Sequence, residues 1–161
     1  MIDSSAIKFK KLLPTAIVPT MASIGANCWD VFAAEDVEFL PGEIKLVRTG
    51  LAIEPPPGLR FNMYIRSSTS LKRGFSLANG VAIIDDCYRG DFTIQLMNIK
   101  NEWDVMTNTL KWQRNKVSQG DKIAQIELVN AVDPLVWHFE EVDVLFNTER
   151  GEKGFGSSDK V

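Results

Sequence analysis

The fold class is indicated by one eight-residue stretch, Leu59-Arg60-Phe61-Asn62-Met63-Tyr64-Ile65-Arg66. Every second residue is apolar, and the residues between carry polar groups, which is the pattern of a β-strand with one face in the core. Similar segments lie on both sides and are separated by turn residues such as Pro41-Gly42 and Gln119-Gly120-Asp121. Strands are expected at residues 44–53, 59–66, 92–98, 122–129 and 136–146. Short strands with frequent turns predict an all-β domain, either an antiparallel barrel or a jelly roll.

One short helix is predicted directly after this strand. Residues 67–74 offer serines that could cap its beginning and Gly74 that could end it, over about two turns. The free N–H groups at its beginning could also hold an anion, although simple capping explains the same residues. Farther along, residues 100–119 are polar, contain Trp103 and Trp112, and lack clean alternation. They predict a long loop or an irregular hairpin.

Composition limits the class of protein. A chain of 161 residues fits one domain. With 18 Lys and Arg against 21 Asp and Glu, the net charge of −3 argues against a nucleic-acid partner. Cys28 and Cys87 are too few for a disulfide framework, and no stretch approaches the roughly 18 apolar residues of a membrane span. A soluble cytoplasmic protein with no membrane partner is expected.

Several enzyme classes lack their motifs. The single histidine, His138, lies in a strand-like stretch without a serine or cysteine motif, so nucleophilic catalysis with histidine as the base is disfavoured. The glycine-rich signatures of dinucleotide-binding and P-loop proteins are absent, as is the H-E-x-x-H zinc motif.

Two segments carry residues suited to nucleotide chemistry. At residues 79–91 an apolar run leads into Asp85-Asp86 and Tyr88, where a carboxylate beside a pocket could deprotonate a water molecule. The tail at residues 150–158 combines two cations, three glycines, Phe155 and two serines, which suits phosphate and a planar base. From the residues alone, an ordinary hairpin turn and a frayed terminus remain open for these segments.

Taken in order, five segments resemble the five motifs of the trimeric dUTPase (deoxyuridine 5'-triphosphate nucleotidohydrolase) family. They are residues 26–31 (Ala-Asn-Cys-Trp-Asp-Val), Arg66-Ser67-Ser68, residues 79–90, residues 120–125 and residues 150–158. The resemblance implies a distorted jelly-roll or β-barrel of the β-clip type, with one short helix and a flexible C-terminal arm. Residues 1–149 would form the barrel, and residues 150–161 would close a neighbouring subunit's site in a homotrimer.

The resemblance also implies an activity. Water would attack the α-phosphorus of dUTP in line, giving dUMP and pyrophosphate, limiting uracil in DNA and supplying dUMP for dTMP synthesis. Asp85 would be the catalytic base that activates this water. The implied substrate-binding residues are Arg66, Ser67, Ser68, Asn79, Gly80, Ile84, Tyr88, Gln125, Arg150, Phe155, Gly156, Ser157 and Ser158.

Within that set, the resemblance assigns separate roles. Asn79 and the backbone of residues 80–84 would read the uracil edge, and Tyr88 would pack beneath the deoxyribose and leave no room for a 2′-hydroxyl. Arg150 would bind phosphate and Phe155 would stack on the uracil. A Mg²⁺ ion would ride on the phosphate oxygens, with Asp30 acting through its waters or by orienting Arg66.

Some positions depart from the family pattern. Cys28 and Ser68 stand where glycine is usual, Glu152-Lys153 stands where small residues are usual, and Asp159 replaces a final glycine. Residues 99–119 form a longer connection than expected, which suits an extra surface element of the kind seen in bacteriophage members and could bind a protein partner.

Two other functions stay open from the sequence. One is an enzyme related to dCTP deaminase, which needs a catalytic glutamate where this chain has Gln95, and a neutral amide cannot shuttle protons. The other is a non-catalytic nucleotide-sensing module on the same scaffold, against which the presence of Asp85 argues.

Overall fold

The structure, a computed structural model, describes residues 6–131, 139–144 and 146, and these contain fourteen strands and one short helix. Strands β1 to β14 are Lys8–Lys11, Thr20–Met21, Trp29–Phe32, Val37–Phe39, Ile44–Val47, Leu51–Glu54, Leu59–Ile65, Phe75–Leu77, Ala82–Ile84, Ile94–Asn98, Asn101–Asp104, Thr109–Trp112, Asn115–Val117 and Lys122–Asn130. Helix α1, Ser67–Leu71, lies between β7 and β8.

The strands pair antiparallel in five sheets. The largest has the order β2-β3-β14-β7-β9, and a second has the order β5-β10-β8. The pairs β1-β6, β4-β13 and β11-β12 form two-stranded sheets. Many neighbours are far apart in the chain, as where Gln125 of β14 lies opposite Asp30 of β3. This distorted jelly roll with one short helix confirms the predicted all-β fold class.

The alternating stretch at residues 59–66 forms β7, and its pattern sets the core. Phe61 and Met63 are buried, and in the register they face Leu128 and Ile126 of β14. Asn62 and Tyr64 lie on the opposite, partly exposed face. Burial of the apolar alternates is the main force that fixes the register, because a slip by one residue would expose all of them.

The prediction of one strand over residues 44–53 was wrong. The chain turns a corner between β5 and β6, at Gly50, whose φ of +66° favours glycine. A Cβ at this position would lie 2.8 Å from the Cβ of Leu13, so a larger residue would also collide with the core. The corner separates β5, which pairs with β10, from β6, which pairs with β1.

The helix is shorter than predicted and begins differently. Its N-cap is Arg66, with no side-chain cap hydrogen bond, so the serines do not cap it. It ends at Leu71, before the predicted Gly74, and Gly74 at φ +69° closes the turn that follows, where its N–H donates to the carbonyl of Ser70 at 3.0 Å. The hydroxyls of Ser67 and Ser68 are therefore left for other partners.

The segment at residues 99–119 contains the hairpin β11-β12, followed by β13. A hairpin was one of the two predicted alternatives, and it pairs in a regular register rather than an irregular one. A protein partner for it stays a prediction. Residues 139–144 and 146 are not in a strand, contrary to prediction, and the rest of the predicted strand at 136–146 lies outside the described residues. Among the described residues, no helix is long and apolar enough to cross a membrane.

Candidate active site

A cavity of about 240 Å³ lies beside the loop that joins β9 to β10. It is lined by Asn79, Ala82, Ile83, Ile84, Asp85, Tyr88, Asp91, Phe92, Thr93 and Gln95. Four of the predicted site residues, Asn79, Ile84, Asp85 and Tyr88, thus share one wall. The apolar strand β9 provides a slot, and the polar groups stand at its two ends.

Local backbone geometry shapes this slot. The chain turns at Asn79-Gly80, where Gly80 has a φ of +71° and its N–H donates to the carbonyl of Leu77. Strand β9 then pairs with β7, placing Ile84 opposite Phe61. Asp85 is the first residue beyond β9 and is exposed, and its carbonyl accepts the N–H of Tyr88 at 3.1 Å in a tight turn. The strand end therefore presents a carboxylate at the rim of the slot.

A second group of predicted residues lies at the other end of β7. The buried carboxylate of Asp30, 5% exposed, pairs with Arg66, whose Nε lies 2.8 Å from Oδ1. Nη1 of Arg66 donates to the carbonyl of Lys122, and Nζ of Lys122 lies 3.0 Å from Oδ2 of Asp30. This second pair lacks hydrogen-bond alignment, so Oδ2 accepts no hydrogen bond among the described residues. One carboxylate therefore faces two cations at this end of β7.

Ser67, Ser68 and Gln125 complete this second group. The two serines begin α1 directly after Arg66, and Gln125 lies between Asp30 of β3 and Tyr64 of β7 in the sheet. Hydroxyls, amide and guanidinium together form a set of donors suited to phosphate oxygens.

The two groups are far apart within one chain. Ile84, next to Asp85, faces Phe61, and Arg66 is five residues further along the extended chain, just before α1 begins. At about 3.3 Å per residue, these five steps span about 16 Å. Within one chain, Asp85 and Arg66 therefore lie well beyond hydrogen-bond distance of each other.

The dUTPase family model matches residues 15–159 of this chain. The chain belongs to the dUTPase family. It is 35% identical over 163 residues to the deoxyuridine 5'-triphosphate nucleotidohydrolase of Corynebacterium glutamicum, covering 100% of this chain and 99% of that protein. It is 37% identical over 153 residues to the protein of the same name from Gloeothece citriformis, covering 94% and 95%.

Solved structures of dUTPases share the fold. The Staphylococcus bacteriophage 80alpha dUTPase with dUPNHPP has a TM-score of 0.77 and 26% identity, covering 95% of this chain and 98% of that one. The dUTPase mutant from phage phi11 of S. aureus, described with a structural Mg(II) ion, has a TM-score of 0.70 at 21% identity, covering 88% and 99%.

No group of three or more His, Cys, Asp or Glu side chains within residues 6–131, 139–144 and 146 could hold a metal ion. Asp30 is the only residue predicted to act on a metal, and both its oxygens already face cations. Its chemistry suits the orientation of Arg66 better than direct ligation. A magnesium ion bound to the substrate's phosphates would fit this dUTPase-type site without a protein cage.

The predicted residues of the fifth motif, Arg150, Phe155, Gly156, Ser157 and Ser158, lie outside the described residues. Their roles, and the predicted arm at residues 150–161, stay predictions.

Sequence reasoning missed Lys122, Asp91 and Thr93. Lys122 stands in the fourth motif next to Asp121, but its distance of 92 positions from Asp30 in the chain hid the pairing. Asp91 follows the third motif directly, which was a signal that could have been used. Gln95, which the sequence offers as the counterpart of a deaminase glutamate, also lines the cavity.

Cys28, which departs from the family's glycine, lies half-buried beside the second group. Burial raises the pKa of its thiol, and the nearby carboxylates of Glu127 and Asp30 raise it further. The thiol therefore stays neutral near pH 7 and is a poor nucleophile.

Proposed function

We propose that this dUTPase-family protein hydrolyses dUTP to dUMP and pyrophosphate, with Asp85 activating the attacking water. The observation that carries the proposal is the cavity whose wall joins Asn79, Ile84, Tyr88 and the exposed carboxylate of Asp85. The identity of the substrate is inferred from the relatives, which are named deoxyuridine 5'-triphosphate nucleotidohydrolases.

In this mechanism the slot holds the nucleoside. The amide of Asn79 and the backbone of Gly80 to Ile84 pair with the uracil edge, and cytosine would leave polar groups unpaired there. The Tyr88 ring lies beneath the deoxyribose. Asp85 then takes a proton from a water molecule held in line with the α-phosphorus, and pyrophosphate leaves on the opposite side.

The phosphate donors come from a second chain. A base acts within hydrogen-bond distance of the attacking water, and Arg66 lies about 16 Å along the same chain from the strand position that faces Ile84, so its guanidinium is poorly placed for the phosphate beside its own chain's Asp85. Arg66, Ser67, Ser68 and Gln125 of one subunit would face Asp85 of the next. Exposed apolar side chains near the slot, such as Ile83 at 61% exposure, support burial against another copy. We propose the homotrimer on these grounds.

Arg66, Ser67 and Ser68 would hold the phosphates, together with any magnesium ion bound to them. Such an ion would neutralise phosphate charge and favour departure of pyrophosphate. Asp30 fixes Arg66 through the 2.8 Å ion pair, and its second oxygen is buried and faces Lys122 at 3.0 Å, so its role is to orient Arg66. The Mg(II) ion described for the phi11 dUTPase is a property of that protein.

The C-terminal arm would complete the site. Arg150 would contact the phosphates, Phe155 would stack on uracil, and Gly156, Ser157 and Ser158 would bring backbone and hydroxyl donors. Closure of such a lid excludes water from the reacting centre. An intracellular location for the enzyme stays a prediction.

Neither alternative function is favoured. Gln95 lines the cavity as a neutral amide, which cannot shuttle the protons that a deaminase needs. A sensor without activity would have no need of the exposed Asp85 at the rim of the slot.

Release of pyrophosphate from dUTP, dCTP, dTTP and UTP in the presence of magnesium tests the proposal. Rapid release from dUTP alone is expected. Ammonia production from dCTP would instead establish the deaminase, and binding of dUTP without any turnover would establish the sensor.

A further inference from the structure

The Tyr88 side chain is exposed enough to need a restraint. It is 46% exposed and stands in a turn, a setting in which an aromatic ring ordinarily samples several rotamers. If its ring is to leave no room for a 2′-hydroxyl, it must be held in one position. The structure shows what holds it.

Two contacts fix the ring locally. The Tyr88 hydroxyl donates to the carbonyl of Asp91 at 3.0 Å. The ring also folds over Gly90 so closely that a Cβ on Gly90 would collide with the phenol. The ring is therefore clamped against the backbone of residues 90–91, and its position depends on where that backbone lies.

The Asp91 side chain fixes that backbone to the barrel. One carboxylate oxygen accepts a hydrogen bond from Nε of Arg48 at 2.7 Å, and the other accepts one from the backbone N–H of Gly50 at 3.1 Å. The next residue, Phe92, is buried, and its N–H donates to the carbonyl of Leu51 at 2.8 Å. These partners belong to the β5-β6 corner, which is itself packed on Leu13 through Gly50.

We infer that Asp91 is a positioning residue for sugar specificity: with Arg48 it fixes the Tyr88 ring that excludes the 2′-hydroxyl of ribonucleotides. The inference rests on the proposed function. Asp91 does not touch the reacting atoms in this mechanism; it acts through Tyr88. A carboxylate that accepts one charged and one backbone donor is well suited to this, because charge-assisted hydrogen bonds are short and strong.

The test compares kcat/KM for dUTP and UTP in Asp91→Asn. The amide keeps the shape but loses the ion pair with Arg48, so the ring gains freedom. The ratio of dUTP to UTP kcat/KM is expected to fall about five- to tenfold, the value of one hydrogen bond, chiefly through faster UTP turnover. Arg48→Gln removes the other half of the pair and should lower the ratio similarly, even if Asp91→Asn folds poorly.

Asp104→Asn is the matched control. Asp104 also pairs with a lysine, Lys111, and accepts backbone N–H groups, including that of Met106 at 2.9 Å, but it lies in the hairpin β11-β12. The ratio of dUTP to UTP kcat/KM in Asp104→Asn should equal that of the wild type. A general loss of folded protein would lower the apparent kcat/KM for both substrates equally and leave their ratio unchanged.

A double-mutant cycle separates the clamp from independent effects. Tyr88→Phe removes the hydroxyl tether, so adding Asp91→Asn to it should change the ratio little further. Full additivity of the two changes, or an unchanged ratio in folded Asp91→Asn and Arg48→Gln, would overturn the inference. If the wild type itself failed to hydrolyse dUTP, the proposed function would fall instead. If it hydrolysed UTP as well as dUTP, only the inference would fall.

Discussion

The cavity loop, residues 79–92, and the hairpin β11-β12 are both exposed, but the protein fixes them differently. The cavity loop is pinned to the barrel at both ends: the N–H of Ala78 donates to the carbonyl of Gln95 at 2.9 Å, and Asp91 is held by Arg48 and Gly50. The hairpin pairs with no other strand in the described structure. It is joined to the barrel mainly at its base.

The pairing register of the hairpin gives it two different faces. Trp103 lies opposite Leu110, and Trp112 lies opposite Asn101, so these side chains share one face, where the two tryptophans are 55% and 51% exposed. The other face carries the ion pair between Asp104 and Lys111. An isolated two-stranded hairpin is only marginally stable in water, so its own cross-strand pairs must maintain it.

Exposed residues on a fixed backbone are the ones suited to chemistry. Asp85 and Tyr88 are exposed, yet their backbone is fixed by the core, which is what a reaction demands of its groups. Trp103 and Trp112 are just as prominent in the sequence but stand on a self-contained element. Perturbing the cavity loop should therefore change activity, whereas perturbing the hairpin should change stability or nothing.

The largest effect is expected from Asp85→Asn. Loss of the base should lower kcat by about 10² to 10⁴, while binding of a non-hydrolysable dUTP analogue is retained. Pyrophosphate release and calorimetry measure the two quantities. Asp86→Asn is the control, because Asp86 is exposed beside Asp85 but does not line the cavity. Equal losses in both variants would remove Asp85 from its role.

The base of the hairpin is expected to matter for stability alone. The buried Asn98 amide donates to the carbonyls of Leu40 and Gln113 at 3.0 and 2.7 Å, and its oxygen accepts the N–H of Lys100 at 3.0 Å. Asn98→Ala would leave buried polar groups unpaired and should lower the free energy of unfolding by about 3 kcal/mol. Urea unfolding measures this loss.

Activity of the same variant completes that test. The dUTP kcat/KM of folded Asn98→Ala should stay near wild type, because the cavity loop has its own anchors. The exposed Asn101, whose amide donates to the carbonyl of Ile99, provides the control variant Asn101→Ala, with little change expected in stability. A stable Asn98→Ala protein with impaired turnover would reverse the contrast between the two regions.

Replacing residues 101–112 with a short Gly-Ser turn should change dUTP turnover by no more than about twofold. The flanking backbone bond from the N–H of Gln113 to the carbonyl of Lys100, at 3.0 Å, can close such a turn. Steady-state kinetics measure the effect. A large loss of activity in the folded variant would show that the hairpin contributes to the site.

The smallest expected effect is on acid stability of the hairpin. A hydrogen bond from the Lys111 side chain and, to a smaller degree, one from the backbone N–H of Thr107 hold the pKa of the Asp104 carboxyl below its usual range. The stabilisation is therefore present above the ordinary aspartate pKa of about 3.9 and is lost as the pH falls through the lower folded value. The Trp103 and Trp112 indole signals in NMR spectra should shift in this acid range.

Asp104→Asn isolates that effect from other carboxylates. Its indole signals should already resemble those of the acid form at neutral pH and should not titrate there. Identical acid titrations in the variant and the wild type would show that the ion pair does not hold the hairpin.

Much of the fold was predictable because local patterns encode it. The alternation at β7 predicted the strand, and the five ordered motifs predicted the family and the cavity residues. The break at Gly50 was missed because it depends on a positive φ and on close packing against Leu13, 37 positions earlier in the chain. A glycine at positive φ is invisible to a count of apolar alternation.

The site contacts that the sequence did not predict also join residues that are far apart in the chain. Asp91 pairs with Arg48, and Asp30 faces Lys122, and no periodicity connects such distant residues. The serines of α1 satisfied the rule for helix caps, yet Arg66 took that position. The tertiary ion pair of Arg66 with Asp30 adds a constraint there that local preference does not contain.

In the proposed oligomer, one active site joins Asp85 of one chain to Arg66 of another. Co-refolding of two variants, Asp85→Asn and Arg66→Gln, tests it most directly. Each variant alone should be nearly inactive, and mixed oligomers should recover dUTP turnover, because some of their sites combine an intact Asp85 with an intact Arg66. Mixed oligomers, verified by mass spectrometry, that stayed as inactive as their parents would contradict the shared site.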